Sequence, residues 1–189
     1  MSTGYRINNQ HNGYFLTFTV VDWVDIFTRK VYRDIVIDCL KYCRNSKGLK
    51  IWAYVIMSNH VHCILSTDNN LSDILRDFKR HSASKILKQI QEQGESRRDW
   101  LLKRFEFAAR SNARSGLYQF WQHDNHAEEL NTQKFWAQKL DYIHSNPVRA
   151  GLVERPEDWL YSSARNYIYQ PALMEVDILD IGLQSCFAD

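Results

Sequence analysis

Two histidines separated by one valine, His60 and His62, stand inside the apolar run "WAYVIMSNHVHCIL" from Trp52 to Leu65. On an extended strand, alternate side chains share a face. The two imidazoles therefore sit side by side, and Val61 and Cys63 turn to the opposite, apolar side. Neutral imidazoles at that spacing can share a divalent ion and leave coordination positions open, as a catalytic metal requires. The same pair also fits two half-exposed histidines with no ligand, or a zinc site. A third group is available on "TQKFWAQKLDYIHS", Thr132 to Ser145, which reads as a helix. There Trp136, Leu140 and Ile143 form a core stripe, and Phe135, Lys139, Tyr142 and Asn146 line its flank. Tyr142 and Asn146 fall one turn apart. A phenol can act as a nucleophile, and an amide oxygen can be a further ligand for a hard cation. Taken alone, each also suits a plain role, Tyr142 on an amphipathic flank and Asn146 as a turn residue before Pro147.

The elements that must position these groups are legible in order. "YFLTFTVVDW" (Tyr14 to Trp23) is aromatic and β-branched and predicts a first strand. The next stretch places Val31, Ile35, Cys39 and Tyr42 at helical spacing, with Gly48 as its C-cap. "KIWAYVIM" and "HVHCIL" predict two strands joined by a short turn at Ser58 and Asn59. A second helix repeats Leu71, Ile74, Leu75, Phe78, Ser82, Ile86 and Ile90 on one face. The order β-α-β-β-α lacks one strand of a ferredoxin-like (RRM-like) antiparallel α+β sheet with helices on one face. "LYQFWQHDN" (Leu117 to Asn125) is the expected fourth strand. The helix bearing Tyr142 follows and ends at the Asn146-Pro147 pair. "PEDWLYSSARNY" opens with Pro156 and predicts a short helical or turn segment. The chain reads as one domain over 1–189, with a basic insertion at about 91–116 and a tail at about 171–189.

Charge adds a partner class. The second helix carries Arg76, Lys79 and Arg80 on its polar side, with His81 and Lys85 nearby. The insertion supplies Arg97, Arg98, Lys103, Arg104, Arg110 and Arg114 among Trp100, Phe105 and Phe107. Cations interleaved with aromatics suit phosphates and splayed bases. A solvated helix face with ordinary core aromatics is the plain alternative. The net charge of +2 is compatible with nucleic acid without demanding it. With 44% hydrophobic residues the 189-residue chain is of globular, not disordered, composition. Its four cysteines form no CxxC pair, which points to a reducing, cytoplasmic setting. No signal-peptide run or membrane-spanning stretch is seen, so no membrane partner is expected.

"YVIMSNHVHCIL", "WQHDNH", "LDYIHSNPVRAGLV" and "DWLYSS", in this order, resemble the single-tyrosine HUH transposases, most closely their REP-associated tyrosine transposase branch. The likeness runs from about Tyr14 to Tyr167. It implies a ferredoxin-like core with the histidine pair on a central strand, a single-stranded or hairpin DNA substrate, and a 5′-phosphotyrosine intermediate. Residue by residue, it implies that His60 and His62 bind Mg²⁺ or Mn²⁺, that Asn146 is the third ligand (where relatives often carry Gln), and that Tyr142 is the nucleophile. Arg76, Lys79, Arg80, Lys85, Arg110 and Arg114 are the expected DNA contacts. The protein is expected to be a monomer or homodimer. Two other readings stay open at this point. One is a non-catalytic protein that grips hairpin DNA or RNA. The other is a zinc hydrolase using His60, His62 and either His123 or His126.

Overall fold

The computed structural model describes residues 7–92, 94–110 and 116–179. Arg114, one of the expected DNA contacts, lies outside them. The elements follow in the order β1 (Tyr14–Thr19), α1 (Lys30–Lys47), β2 (Leu49–Ile56), β3 (His60–Thr67), α2 (Leu71–Glu92), α3 (Arg98–Arg110), β4 (Glu128–Glu129), α4 (Gln133–Arg149) and α5 (Ala164–Tyr167). The sheet order is β2-β3-β1-β4, with every neighbouring pair antiparallel. This is the ferredoxin-like arrangement that the sequence pattern predicts.

One face of the sheet presents Leu16, Phe18, Val61, Cys63 and Leu65 to the main core. Val36, Leu40 and Cys43 of α1 pack there, with Leu71, Leu75, Phe78 and Ile86 of α2. α3, inside the basic stretch, adds Leu101 and Phe105 to the same core. The other face presents Phe15, Ala53, Val55 and Ile64 to Leu140 and Ile143 of α4. Burying each of those two α4 side chains is worth about 1.5–3 kcal/mol, which is what holds the helix down. α1 and α2 thus lie on one side of the sheet, and α4 lies on the side that His60 and His62 face.

Three local expectations need correction. α1 ends at Gly48 as predicted, in the left-handed conformation with φ 67°. Its buried stripe, however, is Tyr32, Val36, Cys39, Leu40 and Cys43, whereas Val31 and Tyr42 are exposed. The stripe that packs on the core is the one through Tyr32, whose hydroxyl donates to the buried Glu95 carboxylate at 2.8 Å.

The predicted fourth strand, Leu117 to Asn125, does run beside β1 but forms no regular ladder. Trp121 bridges Val20, the Gln122 amide donates to the Thr19 carbonyl and the Thr17 amide to that of Asn125. The His126 amide then folds back onto Asp124 Oδ1, with φ 43° at His126. That turn breaks the pairing, and regular strand resumes only at Glu128–Glu129.

Finally, α4 does not stop before Pro147 but runs through it to Arg149. The Leu152 amide donates to the Pro147 carbonyl and the Gly151 amide to that of Val148. Gly151, at φ 67°, is the real stop signal.

The outer edge of β2 is covered by the segment after α4. The Ile56 amide donates to the Tyr161 carbonyl and the Ser163 amide to that of Tyr54. Ser163 Oγ also accepts from the Tyr54 amide at 3.0 Å and meets buried His144 Nε2 at 2.9 Å. "DWLYSS" is therefore an edge cover, and His144 ties α4 to it.

Candidate functional site

The site is assembled where β1, β3 and α4 meet. The β1–β3 register sets Thr17 opposite His62 and Thr19 opposite His60. Thr17 Oγ1 is 2.8 Å from His62 Nδ1. The Asn59 side chain, at the β2–β3 turn, accepts from His60 Nδ1 at 2.7 Å. Each Nδ1 is thus held by a polar partner, which orients the ring and leaves Nε2 as the second nitrogen. The two rings lie 4.6 Å apart between centroids, and Phe15 stacks on His62 at 5.3 Å.

Burial lowers the pKa of both histidines. His62 falls to about 3, with the neighbouring His60 and Lys139 pushing in the same direction. Both are therefore neutral at neutral pH, the state in which imidazole binds metal.

Tyr142 stands edge-on to His62, 5.3 Å between ring centroids, and edge-on to Phe15 at 5.8 Å. Lys139, one turn earlier, pairs with Glu128 of β4 at 2.8 Å and lies 4.2 Å over the Phe15 ring. It thereby pins α4 across the sheet. The Arg149 guanidinium lies 5.7 Å from the Tyr142 ring. Asn146 donates Nδ2 to the Tyr142 carbonyl at 2.8 Å, so its remaining polar atom, Oδ1, is an acceptor. The two neutral imidazoles, side by side on one face, could hold a divalent ion. Among the described residues, no three His, Cys, Asp or Glu side chains come together as a metal group, so neither His123 nor His126 joins the pair.

The expected DNA contacts are dispersed. Arg76, Arg80 and Lys85 are exposed on α2, across the sheet from the histidines. Arg76 pairs with Asp73 at 2.6 Å, and Arg110 of α3 pairs with Glu106 at 2.6 Å. Lys79 is held by the protein itself. Its ammonium donates to the carbonyls of Gln122 and His123 and to Asn125 Oδ1, at 2.6, 3.2 and 2.7 Å. All three of its donors are filled by the chain beside β1, and burial lowers its pKa to about 8. Thr17, Phe15 and Asn59 are the site residues that sequence reasoning missed. Only the strand register and the turn geometry place them beside the imidazoles.

The model of the family described as "Transposase IS200 like" matches residues 13–109, just over half of the chain. The chain belongs to this family. The match takes in β1, both histidines and α2, and it ends before α4. A protein of Haemophilus influenzae described as a REP-associated tyrosine transposase is 28% identical over 116 residues, 59% of this chain and 56% of its own length. The chain therefore spans little more than half the length of that relative. A REP-associated tyrosine transposase solved bound to a REP hairpin aligns with a TM-score of 0.62 at 20% identity. That alignment covers 95% of this chain and 94% of the other, a likeness of fold. Among the described residues, no helix of this family member is long and apolar enough to cross a membrane.

Proposed function

We propose that this chain cuts and rejoins single-stranded DNA next to a hairpin, through a covalent link between Tyr142 and a 5′-phosphate. The observation that carries this reading is the placement of the Tyr142 ring 5.3 Å from His62, itself 4.6 Å from His60, on a helix packed over the sheet face that bears both histidines. Tyr142 Oη attacks phosphorus in line with the P–O3′ bond. That bond breaks, the phenol loses its proton and the departing 3′-oxygen gains one. The new phosphotyrosine ester keeps the energy of the broken diester, so a 3′-hydroxyl can reverse the step without ATP.

His60, His62 and Asn146 Oδ1 would hold the metal. When bound, Mg²⁺ or Mn²⁺ would polarise a non-bridging phosphate oxygen and help the 3′-oxygen leave. Thr17 and Asn59 keep the two imidazoles oriented, and Lys139 fixes the helix that delivers the nucleophile. Arg76, Arg80 and Lys85 lie across the sheet from Tyr142. On this reading they, with Arg110, take phosphates of the paired stem while the unpaired strand enters the histidine face. The hairpin seen with the structural relative supports a stem-loop substrate.

The test is incubation of a flanked DNA hairpin with the protein and Mn²⁺. An SDS-resistant adduct on the 5′-phosphate side should form, vanish with EDTA or in Tyr142→Phe, and map to Tyr142. Tyr161 is a poor rival, because it is buried and its hydroxyl donates to Asp34 at 2.7 Å. An adduct that persists in Tyr142→Phe, or hairpin binding without any adduct, overturns the assignment.

A further inference from the structure

The turn that leaves β1 holds two consecutive non-glycine residues in the left-handed region, Asp22 at φ 53° and Trp23 at φ 54°. Side chains other than glycine rarely adopt that conformation, and it persists only where the surroundings impose it. They do so here. Val21, Val24, Ile26 and Phe27 are buried on both sides of the pair. The Val20 amide donates to the Asn59 carbonyl and the Phe27 amide to that of Ser58. The result is a tryptophan fixed on the surface with 60% of its area exposed. Trp52, Trp121, Trp136 and Trp159, by contrast, each give their indole N–H to an oxygen of the protein.

Trp23 also belongs spatially to the histidine site. Its ring is 6.2 Å from that of His60, edge to face. Asn59 links the two directly. Its Oδ1 accepts from His60 Nδ1, and its Nδ2 donates to the Trp23 carbonyl at 3.3 Å. One amide thus joins the ring that would bind metal to the backbone of Trp23. Arg104 of α3 reaches Asp22, the residue before Trp23, at 3.8 Å and lies 5.6 Å from the exposed Trp100 ring. An exposed aromatic face on an imposed backbone, with a cation reaching its neighbour Asp22, has the chemistry that holds a single nucleic-acid strand.

We propose that Trp23 is the stacking platform for an unpaired base adjacent to the phosphate held at His60 and His62. The proposal rests on reading His60, His62 and Tyr142 as a strand-cutting site, and it adds how the strand is registered there. A base inside a duplex has both faces covered by its neighbours, so the platform would select for unpaired DNA at the point of cutting.

The probe is a DNA hairpin with short unpaired flanks, carrying 5-iododeoxyuridine at one flank position at a time, bound in EDTA so that no strand is cut. Illumination should cross-link one or two adjacent positions to Trp23. The cross-link should vanish in Trp23→Ala and move to the new ring in Trp23→Phe. Trp23→Ala should weaken binding about tenfold, and Trp23→Phe should bind nearly as the parent. Cross-links mapping elsewhere, or Trp23→Ala binding as tightly as the parent, would overturn the platform. If the cross-link forms at Trp23 but no Tyr142 adduct appears with Mn²⁺, the cutting reading fails and the platform stands. If the adduct forms without a Trp23 cross-link, the platform alone fails.

Discussion

Replacing Thr17 with valine is the sharpest test of how the histidine pair is held. Thr17 faces His62 directly across the β1–β3 ladder, with Oγ1 2.8 Å from Nδ1. His62 is only 6% exposed, so water cannot easily take the place of the hydroxyl. Valine keeps the β-branched shape and the strand preference and removes only the polar atom. A hydrogen bond is worth about 1 kcal/mol net, and leaving a buried nitrogen unsatisfied raises the cost to about 1–3 kcal/mol. In a domain of this length each kcal/mol lowers the melting temperature by about 2–4 °C. Losing the partner that orients a metal-binding imidazole typically weakens metal affinity about 10–100-fold.

Thr17→Val should therefore melt a few degrees lower and bind a DNA hairpin in EDTA as the parent does. The Mn²⁺ concentration needed for half-maximal adduct formation should rise about 10–100-fold. Thr17→Ser, which keeps the hydroxyl, should recover most of the loss. A Thr17→Val protein with unchanged Mn²⁺ dependence would refute the reasoning, as would a Thr17→Ser protein as impaired as the valine variant.

Three further outcomes follow from the same geometry. Lys79→Met strips the donor from three oxygens beside β1, so it should cost about 1–3 kcal/mol of stability and leave the salt dependence of hairpin binding unchanged; a shallower salt slope would return Lys79 to the DNA interface. Glu95 is 1% exposed at its side chain and accepts from Arg29 at 2.6 Å, from Tyr32 and from the Arg97 amide. Burial alone would raise its pKa, but these donors outweigh that and hold it below the ordinary carboxylate value. Its contribution is present above that ordinary value and disappears as pH falls through the lower folded one. The stability gap between parent and Glu95→Gln should thus be about 1–3 kcal/mol at neutral pH and close in acid; melting curves showing a constant gap would contradict it. Gly13→Ala would drive a Cβ into the Trp136 ring of α4, so it should cost about 1–3 kcal/mol and reduce adduct yield in the folded fraction. Unchanged melting would show that α4 can shift freely, contrary to its Lys139–Glu128 tether.

The amino-acid sequence alone settles whatever depends on near neighbours. Alternation puts His60 and His62 on one face and Val61 and Cys63 on the other. The 3.6-residue period finds α2 with every one of its buried positions, and it sets Tyr142 one turn before Asn146. It misplaces the α1 stripe because two apolar stripes, one through Val31 and Tyr42 and one through Tyr32, Val36, Leu40 and Cys43, share the helical period, and packing against the core selects the second. It stops α4 too early because a local proline rule is overridden by the bonds that close at Gly151. It shows the charge of Lys79 but not the carbonyl partners some forty residues away that hold it. Thr17 beside His62, Asn59 joining His60 to Trp23, Glu128 fixing Lys139, and the separation of α2 from the histidine face are set by strand register and layer order. Those depend on long-range packing, and only the tertiary structure decides them.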